Sequence, residues 1–149
     1  MPASSADWLA DARQAALEAY EAEPVPTWRR SGFWTTSLRN LDIDALEPRR
    51  YEPVGSQDEL PSEVRDALDG EPGALIVQRG ASTIYIEVDA ELTEQGVIVM
   101  PLEQAVEEHG ELVREWYMRR LSEDEGKFPA ATAAFWTGGV FIHVPANVR

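Results

Sequence analysis

The stretch "KFPAATAAFWTGGVFIHVPANVR", residues 127–149, decides how the fold is read. Val140, Ile142 and Val144 alternate with Phe141 and His143, the period-2 pattern of a half-buried strand. Gly138-Gly139 supplies a turn before it, and Pro145 ends it or marks an edge. No later segment among these residues is available for the strand to pair with. The strand is therefore expected either to fold back onto the domain's own helices or to mediate self-association.

Upstream of it the chain falls into helices and short strands. "SSADWLADARQAALEAYEAEP" predicts a helix capped by Ser4 or Ser5, with Asp7 at the positive end of its dipole. Trp8, Leu9, Ala12, Ala16 and Tyr20 share one side, and Pro24 and Pro26 stop it. An arm rich in aromatics follows, pinned by Trp28, Phe33 and Trp34. "ELPSEVRDALDGEPG" predicts a short helix with Leu60, Val64, Ala67 and Leu68 as its stripe and Gly70 as its stop. "ALIVQRGASTIYIEVD" predicts a hairpin turning at Gly80-Ala81-Ser82, with Ile84, Ile86 and Val88 facing the helices. "GVIVM" is a third strand. Pro101 is expected at the first position of a helix carrying Leu102, Ala105, Val106 and His109 on one face. Gly110 interrupts it, and a second helix carries Leu112, Val113, Trp116, Tyr117 and Leu121.

Composition narrows the function. The 149 residues are 44% hydrophobic, enough for one core. They hold 27 acidic against 13 basic residues, a formal charge of -14, which disfavours nucleic acid and anionic membrane surfaces as partners. Cysteine is absent, so disulfides, zinc-thiolate sites, nucleophilic thiols and sulfur ligation of an iron–sulfur cluster are all excluded within these residues. No apolar run of membrane-spanning length and no signal-like start occur, so the cytoplasm is the expected compartment.

Candidate chemistry is sparse. Glu87, Asp89 and Glu91 are two apart, so an extended backbone would place three carboxylates on one side, the arrangement a metal-dependent hydrolase uses to gather a divalent ion. Strand ends also carry such charges simply into water. His109 sits beside the carboxylates of "EEHGE", yet two histidines without cysteine do not fill a zinc shell, and a half-buried, hydrogen-bonded side chain is the plainer expectation. His143 is of the residue type that most often serves as a general base, but no nucleophile with an orienting acid accompanies it. Gly138-Gly139 precedes a strand instead of opening a helix, so it is no phosphate loop. "SEDEGK" has consecutive carboxylates where a calcium loop needs alternating ones. Trp28 to Trp34, with Arg29 and Arg30, would suit stacking on single-stranded nucleic acid, against which the net charge argues. No catalytic residue, cofactor-binding residue or metal ligand emerges.

Three ordered motifs carry a resemblance. "KFPAATAAF" and "WTGGVFIHVP" resemble the core motif of the SufB/SufD family of iron–sulfur cluster assembly scaffolds, through Lys127, Phe128, Ala130, Ala134, Trp136, Gly138, Gly139, Phe141, Val144 and Pro145. "GVIVMPLEQAVEEHGELVREWYM" is similar to a second family segment through Gly96, Val97, Leu102, Glu103, Ala105, His109, Glu111, Leu112 and Val113, with Gly110 where proline is usual. The opening "WLADARQAALEAYEAEPVPTWRR" looks like the family's start, and "FWTTSLRNLDID" is similar to a segment of SufD members, with Phe33, Trp34 and Thr35 departing from it. The opening segments favour SufD over SufB.

The resemblance implies an α+β fold. A helical N-terminal region with a β-hairpin or small sheet, residues 1–126, is expected to lead into residues 127–149 as the start of a truncated right-handed β-helix. It also implies a scaffold role without catalysis, no cofactor in this fragment, and SufB-like and SufC-like partners for the full-length protein, itself associated with iron–sulfur clusters. A stand-alone acidic inhibitor or decoy that binds a basic protein, and the hydrolase built on Glu87, Asp89 and Glu91, are the alternatives.

Overall fold

The computed structural model describes residues 7–26, 38, 40–47, 49–68 and 70–148. The helices are α1 Asp7–Ala22, α2 Ser62–Arg65, α3 Ala90–Glu94, α4 Leu102–Glu108, α5 Gly110–Trp116 and α6 Lys127–Phe135. The strands are β1 Ala74–Arg79, β2 Ser82–Val88, β3 Ile98–Pro101 and β4 Val140–His143. This is an α+β chain with two small antiparallel sheets, β1-β2 and β3-β4. It divides into two compact units: Met1–Glu47 with His109–Trp136, and Pro48–Glu108 with Thr137–Arg149. The expected caps Ser4 and Ser5 and the anchors Trp28, Phe33 and Trp34 lie outside the described residues.

The first unit is helical. α1 packs on α6, and both helices bury alanines, Ala16 on α1 and Ala130 and Ala133 on α6. Tyr20, at the far end of the stripe expected from the sequence, is buried, with the Phe135 ring edge-on at 5.1 Å. α1 ends at Ala22, just before Pro24. α5 is shorter than its apolar spacing suggests. It stops at Trp116, Met118 takes a φ of 51°, and Trp116 and Leu121 are exposed instead of forming a stripe.

In the second unit the hairpin closes through Gly80, whose φ of 59° suits the first central position of a two-residue turn. Its register shifts between Val77 and Gln78 on β1, where Tyr85 and Thr83 are the successive partners. Ile84 is thus the extra residue of a β-bulge, which breaks the alternation of β2. Ile84 turns into a core with Val77 and Leu60, while Ile86 stays exposed. This corrects the expectation that Ile84, Ile86 and Val88 share one buried face.

Three other local expectations are corrected. The helix around Ser62 covers only four residues, so Ala67 lies outside it and is exposed. A helix not foreseen from spacing, α3, follows β2 directly. Pro101 ends β3 opposite Val140 and does not open a helix. The position tolerates proline because of the ladder. Leu102 donates its N–H to the Gly139 carbonyl at 2.9 Å, and bonded and non-bonded pairs alternate along an antiparallel ladder. The Pro101–Val140 pair is then a non-bonded one, where no N–H is needed.

Candidate interaction surface

The closing strand does find a partner. β4 pairs antiparallel with β3, Ile98 opposite His143 and Val99 opposite Ile142. The two glycines before it explain how it gets there. A Cβ on Gly138 would collide with the backbone carbonyl oxygen of Ala81 at the hairpin turn. A Cβ on Gly139 would lie 3.1 Å from Leu102 Cδ2. Both positions are therefore set by close packing and not by phosphate binding.

The other motif residues act on the first unit. Lys127, the only lysine of the chain, donates through Nζ to the carbonyls of Tyr20 at 2.9 Å and Glu23 at 3.1 Å. Its ammonium also sits 3.8 Å from the centroid of the Tyr20 ring. It thus satisfies carbonyls at the end of α1 and complements the negative end of that helix's dipole. Replacing Lys127 by Met keeps the stem and removes the donors, and should cost roughly 1.5–3 kcal/mol. Chemical denaturation followed by tryptophan emission measures it; an unchanged midpoint would show that the cap contributes nothing.

Trp136 is held by two neighbours. Its Nε1–H donates to the Tyr117 hydroxyl at 3.0 Å, and Arg13 lies 4.4 Å above its ring while donating to its carbonyl at 2.9 Å. Tyr117 donates onward to the Ala133 carbonyl at 3.1 Å, and burial raises its pKa. The Tyr20 hydroxyl donates to Asp44, a bond that, with burial, pushes its pKa up to about 12. Both phenols are therefore protonated donors at neutral pH.

The sequence candidates do not converge. The strand ends at Val88, so Glu87, Asp89 and Glu91 do not share an extended backbone. Glu87 accepts from Gln57 Nε2 at 2.7 Å and Tyr85 Oη at 2.6 Å, and the Tyr85 bond, then the Gln57 bond, lowers its pKa. Asp89 precedes α3 with its carbonyl accepting from Leu92 and Thr93, and Glu91 lies in the first turn. Among the described residues no group of three His, Cys, Asp or Glu side chains is placed to hold a metal ion. The extended-backbone premise of the metal reading is thereby overturned. His109 is half-buried between α4 and α5, its carbonyl accepting from Val113 N–H at 3.0 Å; His143 is half-buried on β4. Arg29 and Arg30 lie outside the described residues. Among the described residues no helix is long and apolar enough to cross a membrane.

What remains open is apolar. Ala74, Ile76, Leu92, Val97, Val99, Ile142, Val144 and Val148 line a cleft of about 260 Å³ in the second unit. Ile142 is 60% exposed and Val144 51%, large values for aliphatic side chains on a sheet. Periodicity found the strand but not this cleft, which gathers four separate segments.

Residues 80–149, from the hairpin turn onward, match the family model described as the SufBD protein N-terminal region. Relatives extend the likeness over the whole chain. It is 32% identical to the iron–sulfur cluster assembly protein SufD of Bacillus subtilis (strain 168), over 95% of this chain and 32% of that protein. A SufBD family iron–sulfur cluster assembly protein of Staphylococcus epidermidis (strain ATCC 12228) is 31% identical over the same shares. One from Mycobacterium tuberculosis (strain H37Rv) is 27% identical, over 96% of this chain and 18% of its own length. The chain thus spans about a third or less of the curated relatives it matches. No solved structure matches it. Lys127, Trp136, Gly138 and Gly139 all lie within the residues that match the family model, and the chain belongs to the SufBD family as an N-terminal region.

Proposed function

We propose that this chain is the N-terminal region of a SufD-like scaffold component of the SUF iron–sulfur cluster assembly system. It acts through protein contacts and performs no catalysis of its own. The observation that carries this reading is the likeness to SufD across 95% of the chain, together with the family match over residues 80–149. In the longer protein the chain would run on from β4 into a right-handed β-helix. SufB-like and SufC-like proteins are its partners, and the cytoplasm its compartment. The cluster is cargo held elsewhere on the scaffold, because these residues contain no thiolate to ligate iron.

Anaerobic incubation of the chain with ferrous iron and sulfide, followed by desalting, should leave it colourless. A stoichiometric cluster absorption band that survives desalting would overturn the division of labour proposed here. In the longer protein, removal of residues 1–149 should weaken co-purification with the SufB-like partner while leaving the cluster-binding capacity of the assembly in place. Unchanged co-purification would remove the contact role.

A further inference from the structure

We propose that residues 40–47 form a strap that opens from the first unit by itself, with the Tyr20–Asp44 hydrogen bond as its latch and ionic strength as its control. The strap's other bonds are local. Leu41 N–H donates to the Leu38 carbonyl and Leu46 N–H to the Ile43 carbonyl, each at 3.1 Å. Ala45 N–H donates to the Asp42 side chain at 3.3 Å. Among the described residues, the bond from Tyr20 to Asp44 is the hydrogen bond that ties this segment to a helix. Its apolar side chains add little hold, since Leu46 is 66% exposed and Leu41 38%. A segment with self-contained turns and few buried contacts opens at far lower cost than the helices beside it.

The helix side of the latch is rigid. Tyr20 is buried, its ring edge-on to Phe135 at 5.1 Å and the Lys127 ammonium 3.8 Å from its centroid. These contacts fix the phenol, so its hydroxyl can meet Asp44 in one place only. An aspartate acceptor makes the bond charge-assisted, the stronger kind. The Asp44 bond and burial raise the phenol's pKa, so Tyr20 stays a donor through the neutral range and its ionisation is not the trigger.

Charge supplies the opening force. Within three residues of the latch partners lie Glu18, Glu21 and Glu23 on α1 and Asp42 and Glu47 on the strap, with no arginine or lysine in either span. The short 3-10 turn Glu123–Glu125, packed on α1, adds three more acids. Against them stands Lys127, whose ammonium is already committed to the Tyr20 and Glu23 carbonyls. Like charges on strap and helix repel through solvent, and added salt screens that repulsion. The strap therefore closes at high ionic strength and opens at low. A strap held by ion pairs would do the reverse. Opening leaves the Tyr20 hydroxyl, and with it the end of α1 that Lys127 caps, to water.

Brief thermolysin digestion of the 149-residue chain tests this, with cleavage before Leu41, Ile43 and Leu46 located by mass spectrometry. Rates are taken relative to a free peptide of residues 38–47, which removes the salt dependence of the protease itself. Tyr20→Phe keeps the ring and deletes the donor. Strap cleavage should then rise about tenfold or more, while the thermal melt followed by far-UV circular dichroism shifts little. Asp44→Asn retains an acceptor without the charge, and its cleavage should lie between that of the unchanged chain and that of Tyr20→Phe. In the unchanged chain, raising the salt should slow strap cleavage severalfold. Cleavage unaffected by Tyr20→Phe, or cleavage that quickens with salt, would overturn the proposal. So would a rise no larger than the loss of global stability accounts for, since the strap would then open only when the helices unfold.

Discussion

Gly138→Ala should destabilise the second unit by roughly 3–5 kcal/mol, the largest single effect expected in this protein. The added methyl would run into the carbonyl oxygen of Ala81, a backbone atom at a tight turn that cannot swing aside as a side chain would. Relief would require either the hairpin turn or the start of β4 to move, and the latter would strip the Leu102–Gly139 bond from the ladder. Gly55→Ala is the matched control. A Cβ there meets only the Glu59 carboxylate at 3.7 Å, an ordinary contact with a flexible group, so the change should be small. Urea denaturation followed by far-UV circular dichroism compares the two. Equal midpoints would mean that β4 does not pass the turn as closely as described.

Ile84→Ala should cost on the order of 2–5 kcal/mol, whereas Ile86→Ala, two residues along the same strand, should cost less than about 1 kcal/mol. Regular alternation would make the two equivalent. The bulge separates them: Ile84 is 5% exposed against Val77 and Leu60, and Ile86 is 37% exposed. Truncating the first leaves a cavity among packed side chains; truncating the second removes atoms already half in water. Thermal unfolding of the two variants decides the matter. A larger loss for Ile86→Ala would place the bulge elsewhere or return the strand to simple alternation.

Several parts of this fold were legible in the residues because their causes are local. The apolar stripe of α1, its stop before Pro24, the hairpin turn at Gly80 and the strand at Ile98 each follow from spacing within one or two turns of chain. The misreadings also have local causes. The alternating carboxylates Glu87, Asp89 and Glu91 looked like one face of a strand, but Asp89 is a helix-start residue and the backbone turns into α3 there. Pro101 suits a helix start by type; its place at a non-bonded position of a ladder depends on β4, some forty residues later.

The sequence by itself determined the α+β class, the one-sided helix α1, a hairpin turning about Gly80 and the motifs that carry the family resemblance. Composition excluded sulfur ligation within these residues, since that needs only the absence of cysteine. Tertiary structure alone decided that β4 pairs with β3, that Ile84 and not Ile86 enters the core, and that the single lysine caps α1. It also decided that an aliphatic cleft stays open beside the β4 edge. The physical reason is range. Helix and strand periodicity arise from backbone geometry over a few residues, so a single segment reveals them. Strand pairing, burial at a bulge and the capping of one helix by a side chain over a hundred residues away are relations between distant segments. Many partners satisfy each segment's local pattern, and only mutual packing selects among them.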